Sequence, residues 1–382
     1  TMVKAGVFLL ARFWPVLSGT EEWFWIVGGA GACTLLLGAY TAIFQTDLKG
    51  LLAYSTISHL GLITLLLGLN SPLAAVAAVF HILNHATFKA SLFMAAGIID
   101  HESGTRDIRR LSGLIKMMPY TATLAMVASA SMAGIPLLNG FLSKEMFFAE
   151  TVFISSTAWV EMALPVIATI AGSFSVVYAL RFTVDVFFGP KATDLPHAPH
   201  EPPRWMRAPV ELLVLVCLIV GIFPAQSVGP LLATAARPVV GGTLPEYNLA
   251  IWHGWNTPMI MSLLAMVGGI VLYLLLRPAF KQERFTGAPL VSRLNGKHLF
   301  ERSLVLMVRC ARRFARKIST RRLQAQLFLL VLVAFVGGLI PLYHSGLTWG
   351  DRPKIPGSAV FVTLWLIAIA CALGAAWQAK YH

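Results

Sequence analysis

The chain has 382 residues, 57% of them hydrophobic and only 12% charged, with a mean hydropathy of +0.72. Soluble domains carry about 25% charged residues, so this composition excludes a soluble enzyme and indicates an integral membrane protein. The net charge of +13 sits in loops between apolar segments without interleaved aromatics, which argues against nucleic-acid binding and for cytoplasmic membrane loops.

The first residues, Thr1-Met2-Val3-Lys4-Ala5-Gly6-Val7, already lie in a helical apolar pattern. With no cap or leader before them, residue 1 is expected to be a point inside a longer protein. The predicted fold is all-α and polytopic, with about ten spans long enough to cross roughly 30 Å of hydrocarbon. They cover about 2–17, 23–44, 49–69, 73–99, 119–151, 161–188, 210–234, 257–277, 325–344 and 358–378. The fifth is broken at Gly134-Ile135-Pro136-Leu137-Leu138-Asn139-Gly140-Phe141, because proline removes a backbone donor and glycine loosens the turn. A broken helix at mid-membrane frees backbone groups to line an ion path; a plain loop between two buried helices is the alternative. Further on, Leu299, Leu304, Leu306, Val308, Phe314 and Ile318 alternate with Arg302, Arg309, Arg312, Arg313, Arg316 and Lys317. Residues 299–323 therefore read as a basic amphipathic helix in the cytoplasmic interface, drawn to anionic lipid, or else as a soluble basic linker.

Loop charge sets the orientation. Lys49, Arg106, Arg109, Arg110, Lys116, Lys191, Arg204 and Arg207 fall in the loops at 45–50, 100–118 and 189–209, and a larger basic run follows Arg277. The opposite loops hold Glu21, Glu22, Asn70, Ser71, Glu246 and Asp351. The first set is expected on the cytoplasmic side. Cys33, Cys217, Cys310 and Cys371 have neither metal nor disulfide spacing and read as small core residues. No nucleophile elbow, phosphate-binding glycine loop or metal-ligand set is visible, so no catalytic residue, cofactor or metal is assigned.

The polar exceptions carry the functional reading. His81, His85 and Lys89 follow one another at i, i+4 and i+8 in an otherwise apolar helix. They fall within roughly 80° of one another on one face. An ionisable group in a spanning helix costs on the order of 3 kcal/mol unless it faces protein or water, so three on one stripe suggest a proton relay. The alternative is a packing histidine beside a snorkelling lysine. Burial disfavours an ammonium charge, so a lysine away from water gives up its proton more readily. Histidine exchanges protons near neutral pH unaided. The candidates are Lys4, Lys49, His59, His81, His85, Lys89, Lys144 and Glu145, with Lys89 and Lys144 as central carriers. Structural alternatives stay open for three of them: snorkelling or pairing with an absent acid for Lys4, a charge anchor for Lys49, and an ordinary hydrogen-bonded histidine for His59. Among the acids, Glu150 flanks the break, Glu161 starts a span, and Asp185 is expected to pair with Arg181 four residues earlier. No acidic cluster resembles a sodium site.

These motifs carry a family resemblance. Asp47-Leu48-Lys49-Gly50-Leu51-Leu52-Ala53-Tyr54-Ser55-Thr56-Ile57-Ser58 resembles the D-[IL]-K-x-[VL]-L-A-Y-S-T-x-S motif of antiporter-like subunits. Such subunits occur in respiratory complex I, membrane hydrogenases and Mrp-type antiporters. The His81, His85, Lys89 stripe and Gly134-Ile135-Pro136 through Gly140-Phe141-Leu142-Ser143-Lys144-Glu145 match the same superfamily. Three stretches resemble the large A subunit of Mrp-type Na+/H+ antiporters in particular: His101-Glu102-Ser103-Gly104-Thr105-Arg106-Asp107-Ile108-Arg109-Arg110-Leu111, Ser131 through Phe148, and Thr1-Met2-Val3-Lys4-Ala5-Gly6. Leu137-Leu138 departs from the family pattern, where prolines and aromatics are common.

The resemblance implies two inverted five-helix repeats, each with a broken helix and a buried lysine. On that reading 1–21 ends the preceding repeat and 22–190 is the second repeat. Residues 191–298 add helices, 299–323 is a lateral amphipathic helix, and 324–382 closes the chain. It also implies a multi-pass component of a multi-subunit antiporter in the bacterial cytoplasmic membrane, exchanging Na+ for H+. The alternative is the homologous proton-pumping subunit of NADH:quinone oxidoreductase or of a membrane-bound hydrogenase.

Overall fold

The computed structural model describes residues 2–154, 157–285, 287–291, 296–318, 323–346 and 357–378. Positions 319–322 of the predicted basic segment, and Asp351, lie outside the described residues. The chain divides into two units, Thr1–Asn295 and Gly296–His382, and its described regular elements are helices.

In the first unit, α1 spans Lys4–Leu17, α2 Glu21–Ile43, α3 Leu48–Gly68 and α4 Pro72–Ser103. The broken pair follows, α5 over Pro119–Ala133 and α6 over Asn139–Val152. Then come α7 over Ala158–Asp185, α8 over Arg204–Ile222, the short α9 over Gly229–Val240 and α10 over Thr257–Lys281. In the second unit, α11 spans Gly296–Ile318, α12 Leu323–Ser345 and α13 Ala359–Gln378. Eight described helices are long and apolar enough to cross a membrane. The other expected spans are α1, with 14 residues, and the broken pair, with 15 and 14. Each of these three is too short to cross alone, so the expected count of about ten is not reproduced as ten full-length helices.

Local chemistry sets the boundaries. The Asp47 carboxylate accepts from the Gly50 amide at 3.1 Å and caps α3. Ser71 caps α4 ahead of Pro72, whose fixed φ suits a first helical turn. Gly104, at φ +72°, ends α4 in the left-handed conformation. One expected span needs correction. The segment 210–234 is interrupted at Phe223-Pro224, where Phe223 leaves helical geometry at φ −125°, ψ 59°. A residue before proline is pushed out of the α region, so the apolar pattern continues while the helix does not.

The α2–α3 pair packs most intimately. A side chain at Gly31, Gly38, Gly61 or Gly68 would meet the facing backbone at Leu65, Ser58, Leu35 and Gly28 respectively. Small residues let the two backbones approach this closely, and the Ser58 hydroxyl donates across the seam to the Leu35 carbonyl at 3.0 Å.

The expected cytoplasmic loops gather at one end of the unit. The Leu48 amide bonds the Arg106 carbonyl and the Ile108 amide the Thr46 carbonyl, each at 2.8 Å. Arg110 pairs with Asp194 at 3.3 Å, and Glu201 accepts from the Thr121 amide at 3.0 Å. The two loop motifs at 47–49 and 104–110 are thus two halves of one clasp. At the other end the Asn70 side chain accepts from the Gly19 amide. The cysteine expectation holds only for buried Cys217; Cys33, Cys310 and Cys371 are exposed. The predicted basic amphipathic segment is helical as α11, with Leu299, Leu304, Leu306 and Phe314 exposed alongside its arginines.

Candidate functional site

The site lies where α3, α4 and α7 meet the break between α5 and α6. Gly134 ends α5 at φ +90°, a conformation that costs an L-residue about 1–2 kcal/mol. The Ile135 amide closes back on the Ala130 carbonyl at 3.0 Å. The gap is braced by side chains: Ser131 donates to the Asn139 carbonyl oxygen at 2.5 Å, Asn139 donates to Thr87 at 2.8 Å, and the Gly140 amide donates to Ser131 at 3.1 Å.

A helix end leaves carbonyls without amide partners, and Lys144 supplies them. Its Nζ donates to the Met132 carbonyl at 2.8 Å, the Ala133 carbonyl at 3.0 Å and the Ser175 hydroxyl at 2.5 Å. The ammonium therefore caps the negative end of α5. Lys89 reaches the same place from α4, donating to the Ser55 hydroxyl and lying 3.3 Å from the Met132 sulfur. Both lysines are at most 6% exposed. Among the described residues no carboxylate lies in ion-pair reach of either one.

Three imidazoles cluster beside them. His59 Nδ1 and His81 Nε2 are 2.9 Å apart, and His81 Nδ1 is 2.9 Å from the Ser143 hydroxyl. The His85 ring lies 5.1 Å from that of His59, centroid to centroid, and Phe88 stands edge-on to both rings. Both His85 nitrogens and the Asn84 amide are buried without a hydrogen-bond partner. On the far side of His59, the Tyr178 hydroxyl is 3.3 Å from Nε2.

Five of the eight sequence candidates thus come together: His59, His81, His85, Lys89 and Lys144. The other three lie apart. Lys4 is half-buried, 3.5 Å from the Ile82 carbonyl. Lys49 forms a 2.7 Å ion pair with Asp100 near the C-terminal end of α4. Glu145 turns away from Lys144 to His253, 3.6 Å distant, in a cavity of about 270 Å³ shared with Met146, Glu246, Tyr247 and Asn256. Arg181 pairs with Asp185 at 3.4 Å as expected, and its guanidinium also donates to the Gln45 carbonyl at 2.7 Å. Sequence reasoning missed Ser143, Ser175, Tyr178 and His253. Serine and tyrosine are unremarkable in an apolar helix, and His253 sits in a loop. Ser175 and Tyr178 do share one helix face, three residues apart, which was the available signal.

The fold and site define a multi-pass, helical membrane protein with ionisable side chains sealed in its interior. Residues 1–173 match the family described as NADH:quinone oxidoreductase/Mrp antiporter, TM. The whole chain is 62% identical to the A/B subunit of a probable K(+)/H(+) antiporter of Rhizobium meliloti (strain 1021), covering 38% of it. Over 72% of its length it is 42% identical to the A subunit of the Na(+)/H(+) antiporter of Alkalihalophilus pseudofirmus, again 38% of that protein. One chain in the structure of the Mrp complex from Dietzia sp. DQ12-45-1b overlays 98% of this chain, at 31% identity and a TM-score of 0.70, and this chain covers 39% of it. Residues 1–173 thus carry the transmembrane domain described for NADH:quinone oxidoreductase/Mrp antiporters, and the chain is similar to part of the A subunits of monovalent cation/proton antiporters. It spans about two fifths of the length of these relatives.

Proposed function

We propose that this chain is the proton-carrying part of a monovalent cation/proton antiporter, a secondary transporter built as a multi-subunit complex of the bacterial cytoplasmic membrane. The observation that carries this reading is the pair of buried lysines with no acid beside them among the described residues. Removing one partner of a buried ion pair typically costs 3–5 kcal/mol, so a buried ammonium without an acid is poor for stability and suited to gaining and losing a proton. Lys89, Lys144 and the three histidines form the core of the relay. Lys49 would exchange protons with the cytoplasmic side, Glu145 with the opposite side through the His253 cavity, and Lys4 with the repeat expected before residue 22. Na+ and K+ appear in the names of the relatives, and either is a fitting substrate class. The basic α11 would rest on anionic lipid. The homologous proton-pumping subunit of NADH:quinone oxidoreductase would use the same core; the near-complete overlay on a chain of an Mrp complex favours the antiporter.

The test is cation-dependent proton flux in everted vesicles carrying the complete complex. Lys89→Ala and Lys144→Ala are each expected to abolish flux while assembly stays near normal. Wild-type flux in both variants would overturn the relay.

A further inference from the structure

Lys144 touches none of the histidines, and the relay as drawn from the sequence has a gap there. The structure fills it with two side chains of α7. Lys144 donates to the Ser175 hydroxyl at 2.5 Å, the Tyr178 hydroxyl reaches His59 Nε2 at 3.3 Å, and Ser175 and Tyr178 line one small cavity. Tyr178 is fully buried and Ser175 nearly so. Beside them a cavity of about 20 Å³ is lined by His59, Lys144, Ser175 and Tyr178, close to the size one water occupies. We propose that Ser175 and Tyr178 are relay residues that pass the proton between Lys144 and His59. This rests on the relay reading above.

The network supports the transfer because its donors are matched before and after it. A charged Lys144 has three N–H donors and three acceptors: two carbonyls and Ser175. On this proposal Ser175 donates to Tyr178 across the cavity they share, Tyr178 to His59 Nε2, and His59 Nδ1–H to His81 Nε2. His81 Nδ1–H donates to Ser143, which donates to the Gly140 carbonyl at 3.3 Å. In the transfer, a Lys144 N–H bond breaks as a Ser175 O–H forms. The original Ser175 proton forms a new Tyr178 O–H, and the original Tyr178 proton forms His59 Nε2–H. One positive charge moves from Lys144 to His59, and both hydroxyls are neutral at the start and the end. The neutral amine keeps two N–H donors for the two carbonyls and turns its lone pair to Ser175, which now donates to it. No polar group loses its partner in either state, so the step avoids the 1–3 kcal/mol cost of stranding a buried donor.

The test uses the isosteric pair Ser175→Thr and Ser175→Val in the complete complex, so any steric effect is common to both. The hydroxyl variant is expected to keep near-wild-type proton flux. Ser175→Val, and Tyr178→Phe with it, are expected to lose at least tenfold, to show a larger H2O/D2O rate ratio, and to leave half-saturation by the cation unchanged. Equal flux in Ser175→Thr and Ser175→Val overturns the proposal. So does a loss in Ser175→Val with an unaltered isotope ratio, which marks a structural role. Lys144→Ala separates the two levels: if it transports normally, the relay reading itself fails, whereas its failure beside a normal Ser175→Val rejects the bridge alone.

Discussion

At Lys144 the match between three donors and three acceptors makes the charge state a structural quantity as well as an electrical one. Lys144→Met keeps the chain length and removes the donors, leaving the Met132 and Ala133 carbonyls unpartnered. We expect it to stop flux and to lower thermal stability by about 1–3 kcal/mol, read by thermal unfolding of the purified complex. His81 has both ring nitrogens engaged, by His59 and Ser143, leaving none to bind zinc. Chelators are therefore expected to leave transport unchanged; strong inhibition reversed by zinc would reassign the His81–His85 pair as a metal site. In the loop after α4, the hydrogen bonds from Arg109 hold the Asp107 carboxyl below its ordinary range. The stabilisation is complete above about pH 4, the carboxylate's usual unfolded value, and is lost as pH falls through the lower folded value. Asp107→Asn is expected to melt earlier than wild type at pH 7, by a margin that shrinks as pH falls below about 4. The lysines and histidines were legible in the sequence because ionisable groups are rare in membrane helices. Ser175 and Tyr178 were not, since their role depends on which neighbour they face.

Among the elements, the break between α5 and α6 concentrates the chemistry. Gly134 is left-handed there, and an added Cβ would sit 2.9 Å from Lys144 Cδ. Gly134→Ala is expected to cost about 1–2 kcal/mol and to reduce flux by displacing the ammonium. Leu137 is also left-handed, at φ 69°, yet it is exposed and bonds to nothing in the relay. Leu137→Gly removes that strain at some entropic cost, so a gain of less than about 1 kcal/mol with unchanged flux is expected. The break itself was readable from Gly134 and Pro136. The second interruption, at Phe223-Pro224, carries the same proline signal, but a span drawn from hydropathy runs through it because the apolar pattern continues.

At the scale of the molecule, the relatives are more than twice as long as this chain, and coupling two gradients requires access from both faces. Residues 1–382 alone are expected not to restore sodium tolerance to antiporter-deficient cells; full restoration would show that the remaining length of the relatives is dispensable. The grouping of the loops at one end was legible from charge, and the clasp between residues 47 and 107 brings two distant motifs together. Its pairing depends on contacts some sixty residues apart in sequence, which no local pattern records. The glycine seam between α2 and α3 has a mechanical consequence. Sliding either helix along the other would drive a side chain into backbone, so the two behave as one strut. His59 is fixed to that strut, while His81 and Tyr178 stand on α4 and α7. Any rocking that presents the site first to one side of the membrane and then to the other must stretch the His59–His81 and His59–Tyr178 contacts, so the same movement that changes access also makes and breaks the wire.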